Sequence, residues 1–196
     1  HSDSRRQRQM CIRDRYGSGV RIARIDAFQN GEDVRLEEAQ RLNINESEVA
    51  RYGLATGDIL INRVNSLSHL GKTGFVRSVS EPSVFESNLM RLRVAQDRIS
   101  SDYAFAWLST DFVRDYWLLR AKRAVAQASI NQGDVRSLKV PLPSRAEQDG
   151  TTGHLDDVSR RLTSEQRSML ALRRLKTALM CVLLTGELRV QAEAAE

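Results

Sequence analysis

Two short stretches of this chain concentrate the side chains with which a protein grips and reads a nucleic acid. One is Asn62-Arg63-Val64-Asn65-Ser66-Leu67-Ser68-His69, which leads on to Lys72-Thr73. The other is Arg120-Ala121-Lys122-Arg123, which leads on through Gln127, Ser129, Asn131 and Gln132. Base edges are read by side chains with paired donors or acceptors, and phosphates are held by cations and by short hydroxyl or amide donors. On that chemistry Arg63 and Asn65 are candidates for a base or a phosphate and Lys72 for a phosphate, with Ser66, His69 and Thr73 beside them. Arg120, Lys122 and Arg123 carry the densest positive charge within residues 17–143 and suit a phosphate clamp. Each assignment has a plainer counterpart. Asn65 and Ser66 form turns, Ser129 and Asn131 have the spacing of caps on a following helix, and a basic cluster is often only solvated surface.

Catalytic chemistry finds no such footing. The three histidines (His1, His69, His154) and two cysteines (Cys11, Cys181) have no metal-ligand spacing, so no metal site is expected. Leu70-Gly71-Lys72-Thr73 keeps only the end of a phosphate loop and lacks its upstream glycine. The prolines lie in Glu81-Pro82-Ser83 and Pro141-Leu142-Pro143, so the Asn/Asp-Pro-Pro-aromatic motif of an amino-methyltransferase is absent. No glutamate is followed two residues later by lysine, the pair a common metal-dependent nuclease requires. No catalytic residue is assigned.

The charge is distributed to match. Of the net +5, the first 15 residues hold +3, residues 26–58 carry a local −5 and residues 59–143 a local +5, while the bases and acids from 144 onward cancel. The basic surplus falls where a polyanion would dock. At 196 residues, 41% hydrophobic and 28% charged, the chain has room for one ordinary domain and an extension. No run approaches the roughly 18 apolar residues needed to span a bilayer. With no signal peptide visible and no disulfide pattern, a reducing cytoplasm is the expected compartment.

The elements that must position these loops follow from the hydrophobic pattern. Residues 1–16 lack periodicity and read as a disordered or non-native tail. Val20, Ile22 and Ile25 suggest a strand before the turn Asn30-Gly31, and residues 34–49 a loop with a helical turn. Ile59-Leu60-Ile61 fits a strand buried on both faces, Phe75-Val76 its partner and Leu89–Val94 a further strand. Phe105, Leu108, Phe112, Tyr116 and Leu119 recur at three or four residues, which predicts one amphipathic helix over 103–119. A short helix over 131–137 and a strand ending at Val140 precede Pro141-Leu142-Pro143. Strands interleaved irregularly with helices make an α+β domain with a mixed sheet over 17–143.

Beyond it, Leu155, Val158, Leu162, Met169, Leu172, Leu175, Leu179 and Val182 keep a helical stripe, with Glu165 in one of its slots and Gly186 as a C-terminal cap. A helix this long cannot bury its stripe against itself, so 144–186 reads as a coiled-coil arm and 187–196 as a tail. Folding back onto its own domain is the alternative.

Several motifs now carry a family resemblance: GDILINRVNS (57–66), LGKTG (70–74), SNLMRLR (87–93), ASINQGDVRSLKVPLPS…EQ (128–148) and LMCVLLTGELRV (179–190). Together they resemble one half of the specificity subunit of a type I restriction-modification system. The resemblance implies a target recognition domain followed by a long helix, without an active site or a cofactor of its own. It implies double-stranded DNA as the ligand, one half of a bipartite site being read. It also implies modification subunits that methylate DNA with S-adenosylmethionine, and a restriction subunit using ATP and Mg. A full specificity subunit is similar to this unit repeated twice, whereas this chain has one domain and one helix, which leaves a homodimer through the helix open. Gly150-Thr151-Thr152-Gly153 is poor helix material where the family runs straight into its helix, which puts the start of the helix in doubt and leaves room for a hinge. An assembly fragment that no longer reads DNA, or a recognition domain detached from a fused restriction-methyltransferase enzyme, are the alternatives.

Overall fold

A computed structural model of the chain describes residues 16–124 and 127–189, so 1–15 of the expected N-terminal tail and 190–196 of the expected C-terminal tail lie outside the described residues. Up to Asp149 the chain forms one compact unit, and from Gly150 another. The first unit opens with β1 (Tyr16–Ala23), which pairs antiparallel with β3 (Arg41–Leu42) and parallel with β7 (Ser83–Phe85). Beside it stands a second sheet of four strands in the order β2 (Glu32–Asp33), β6 (Thr73–Phe75), β4 (Ile59–Asn62) and β8 (Leu89–Leu92). β2 and β6 run parallel while β4 is antiparallel to both neighbours, so the sheet is mixed. Helix α1 (Glu46–Tyr52) begins at a capping box between Asn45 and Glu48, which satisfies two free backbone N–H groups at once.

β4 is buried along its whole length and separates two cores. Ile59 and Ile61 face a cluster with Leu108, Val113 and Trp117, while Leu60 faces another with Phe28, Val76 and Leu89. Gly71 lets the backbone approach the first cluster, at φ +75°. A Cβ there would lie 2.2 Å from Trp117 Cδ1, so the chain can pass only as glycine.

The single helix expected over 103–119 is two helices, α2 (Ser101–Leu108) and α3 (Asp111–Arg120). Ser109 and Thr110 supply the break. The Ser109 hydroxyl donates to Phe105 O, and the Thr110 hydroxyl accepts from Val113 N as the cap of α3. The break turns the apolar face, so Val113 and Trp117 are fully buried while Phe112 and Leu119 are 64% and 85% exposed. The expected stripe was therefore wrong in its second half.

Three further elements complete the unit. β9 (Lys122–Arg123) and β10 (Ala128–Ser129) form a hairpin, and α4 (Gln132–Arg136) follows. The strand expected to end at Val140 does not form, because residues 138–144 take no regular structure before Pro141 and Pro143.

α5 (Arg145–Leu184) runs unbroken through Gly150 and Gly153, so these glycines do not delay the start of the helix. Its first turn explains the register. Ser144 and Glu147 make a capping box in which the carboxylate accepts from both the backbone N–H and the hydroxyl of Ser144, and these bonds hold Glu147 below the usual carboxyl range. Gln148 is 1% exposed. Its Oε1 accepts from Ser100 N at 2.8 Å, and its Nε2 donates to Arg98 O and Pro143 O.

In the second unit the stripe residues Leu155, Val158, Leu162, Met169, Leu172, Leu175 and Leu179 are all exposed, and Val182 is partly so. Gly186 follows the helix at φ +77°, as a cap would. No helix among the described residues is long and apolar enough to cross a membrane.

Candidate nucleic-acid interface

β4 leaves the core at Asn62 and continues through Arg63 into β5 (Val64–Asn65), a two-residue strand with a separate partner. β5 pairs antiparallel with β10, and β10 pairs antiparallel with β9. The two stretches singled out for their chemistry are thus edges of one three-stranded sheet. Ala128 stands opposite Asn65 on one side and Arg123 on the other; Ser129 stands opposite Val64 and Lys122. Opposed residues in an antiparallel pair share a face, so Asn65 and Arg123 lie on one face and Ser129 and Lys122 on the other.

Backbone bonds hold this sheet to the rest of the unit. Arg63 N donates to Asn88 O, and Ile130 N to Arg63 O at 3.0 Å. Ala128 and Ile130 are buried in the core beside Trp117, which fixes the inner strand. The hairpin closes through Ala124 N to Gln127 O at 2.7 Å, leaving Lys122, Arg123 and Gln127 exposed. Arg120, at the end of α3, lies with its guanidinium carbon 3.7 Å from the Tyr116 ring centre, a cation–aromatic contact.

The loop after β5 is tightly wound. Asn65 Oδ1 accepts from Ser66 N at 2.8 Å, so the turn-forming role of Asn65 is real. The Ser66 and Ser68 hydroxyls and His69 Nδ1 lie within 3.0 Å of one another, and Ser66 O accepts from His69 N and Leu70 N. Lys72 lies 5.2 Å from the Phe28 ring centre. Burial lowers its pKa from the usual lysine value, against the opposing pull of Asp26.

Three candidates turn out to serve the fold. Thr73 is fully buried within β6, with its hydroxyl shared between Asn30 and Ser109, so it reaches no ligand. Asn131 caps α4, accepting from Gly133 N and Asp134 N while Asp134 accepts from Asn131 N. Ser129 has no capping role; it is a strand residue, half-buried, and Gln132 is exposed in the first turn of α4.

Two features could not be read from the sequence. Asn62 belongs to β4, is fully buried, and finds no hydrogen-bond partner for either amide atom among the described residues; Arg63 Nε is likewise unpartnered. Arg114 on α3 meets Asn30, His69 and Lys72 around a cleft of about 200 Å³ floored by Gly71. Arg114 and Lys72 lie 42 positions apart in sequence and line the same cleft. Among the described residues no three His, Cys, Asp or Glu side chains form a group able to hold a metal ion.

Comparison with known proteins bears on what these surfaces serve. Residues 22–172 match the sequence model of the type I restriction modification DNA specificity domain. The chain is 29% identical over 167 residues to the putative type I restriction enzyme MjaX specificity subunit of Methanocaldococcus jannaschii, which covers 85% of this chain and 39% of that protein. It is also 29% identical over 134 residues to the type I restriction enzyme EcoKI specificity subunit of Escherichia coli K12, covering 67% and 28%. In fold it is similar to the HsdS subunit from Thermoanaerobacter tengcongensis, with a TM-score of 0.61 at 14% identity over 84% of this chain and 42% of that one. A chain from a structure of type I R-M system assembly and conformational transition gives a TM-score of 0.63 at 13% identity, over 92% and 46%. This chain spans less than half the length of each.

Proposed function

We propose, for a chain that belongs to the type I restriction-modification DNA specificity family, that its first unit reads one half of a bipartite double-stranded DNA site and its long helix is the spacer to a second reader. The observation that carries this reading is the convergence of β5, β10 and β9, which brings the two nucleic-acid-type stretches into one sheet. Lys122 and Arg123, with Arg120 beside them, grip phosphates, while Arg63, Asn65 and Gln127 are the base readers. Ser66, His69 and Lys72 flank them on the loop, and Gln132 borders the hairpin.

The chain's own role is non-catalytic. Modification subunits would supply methylation with S-adenosylmethionine, and a restriction subunit would supply cleavage with ATP and Mg, in the cytoplasm. The exposed apolar stripe of α5 is where the chain pairs with a second copy of itself, so that two first units flank one spacer.

Gel shift on a random-sequence duplex, with the chain alone and with modification subunits, tests the assignment. DNA binding in either case supports it. Complex formation with modification subunits and no DNA binding in both would reduce the chain to an assembly fragment.

A further inference from the structure

From Leu155 to Leu183, α5 carries a strict seven-residue repeat in which the seam positions advance by three and four residues in turn. Two of those positions are charged: Glu165 and Lys176. Each interrupts an apolar surface. Lys176 sits among Leu172, Leu175, Leu179, Met180 and Leu183, and Glu165 falls one turn from Leu162 and Met169. Along the rest of α5 the ion pairs among the described residues join Arg145 to Asp149 and Arg160 to Asp157, leaving Glu165 and Lys176 without one. A charge left in a closed seam with no counter-charge is strongly unfavourable, so any helix that covers this stripe must answer both.

A second copy answers both in one arrangement. Antiparallel pairing about a two-fold axis beside Leu170 and Ala171 sets Met169 against Leu172, Leu162 against Leu179 and Val158 against Leu183. The same register sets Glu165 against Lys176, and the symmetry repeats that pair. Slipping by one heptad in either direction faces both charges with apolar residues. In-register parallel pairing puts Glu165 against Glu165 and Lys176 against Lys176.

We propose that Glu165 and Lys176 fix the orientation and register of self-pairing, with each carboxylate against Lys176 of a second copy. The proposal rests on the reading that α5 pairs with another copy, and adds to it the residues that choose how.

Sedimentation equilibrium on the full chain tests both levels. The native chain is expected to dimerise, and E165K and K176E each to weaken the dimer by at least about tenfold, because each places like charges in two layers. E165K/K176E together should restore it. Circular dichroism of each variant checks that helix content is kept. E165Q is expected to weaken an antiparallel dimer, whereas it would strengthen a parallel one. Spin labels on Cys181, in a Cys11→Ser background, should then lie about 30 Å apart along the axis from the 1.5 Å rise per residue.

A native dimer indifferent to either single reversal, not rescued by the double, or tightened by E165Q would overturn the register while leaving self-pairing intact. A native chain that stays monomeric at about 100 µM would overturn both, and would assign the stripe to a helix of another chain.

Discussion

Asn65 and Arg123 are separated by a single residue of β-sheet, because Ala128 is the direct cross-strand partner of each. They stand 58 positions apart in sequence, one on the loop after β4 and the other after α3. What joins them is the buried strand between: Ala128 and Ile130 are locked in the core, so a change of packing there would move both loops at once. The amide proposed to read a base and the guanidinium proposed to grip a phosphate thereby share one supporting strand. Phosphate contacts set the frame in which base contacts discriminate.

Lys122→Ala and Arg123→Ala should each weaken binding to all DNA sequences about equally. Each should also reduce the slope of log affinity against log salt by about one, because one fewer phosphate is neutralised. Binding titrations between low and physiological salt measure this. An unchanged slope in both variants would remove the hairpin from the interface.

Gln148→Ala should destabilise the first unit by roughly 2 kcal/mol, because Ser100 N is left buried without its acceptor. Gln148→Glu should be no better. Its carboxylate accepts from Ser100 N but must face Arg98 O and Pro143 O, to which the native amide donates. Urea denaturation checks both, and a midpoint unchanged in Gln148→Ala would show that this amide contributes nothing.

Glu86 gives a pH dependence. Burial raises its pKa above the ordinary carboxyl value, and the Ile25 N–H and the Arg24 guanidinium, 3.7 Å away, only partly offset that. The folded chain therefore binds this proton more tightly than the unfolded chain. The stabilisation is complete below the ordinary carboxyl pKa and is lost as pH rises through the raised one. Glu86→Gln keeps the acceptor for Ile25 N, so its melting temperature should exceed the native one at pH 7 and converge with it near pH 4. A variant less stable than native at pH 7 would show that the Arg24 pair outweighs burial.

How much of this was legible in the residues depends on the element. Ile59-Leu60-Ile61 announced a strand buried on both faces, and Asn131 announced a cap on a short helix; both are found, while Ser129, read as a cap in the same way, is a strand residue. The stripe from Leu155 announced a long helix, and the capping box of Ser144 and Glu147 shows why it starts before two glycines that argued for a hinge. The sheet of β5, β9 and β10 was not legible, since strands of two residues carry no periodicity. The break at Ser109-Thr110 was hidden because serine and threonine cap helices but also occur inside them. The chemistry of the two loops could be read from residue types, but their meeting could not.

Selection of bound DNA from a randomised duplex, with modification subunits present, tests the central claim most directly. The native chain should enrich one short half-site, and Asn65→Ala or Arg63→Ala should relax a single position within it, by about 1–3 kcal/mol if the contact is bidentate. Enrichment of no sequence by the native chain, or uniform weakening across all sequences in both variants, would contradict base reading by this sheet.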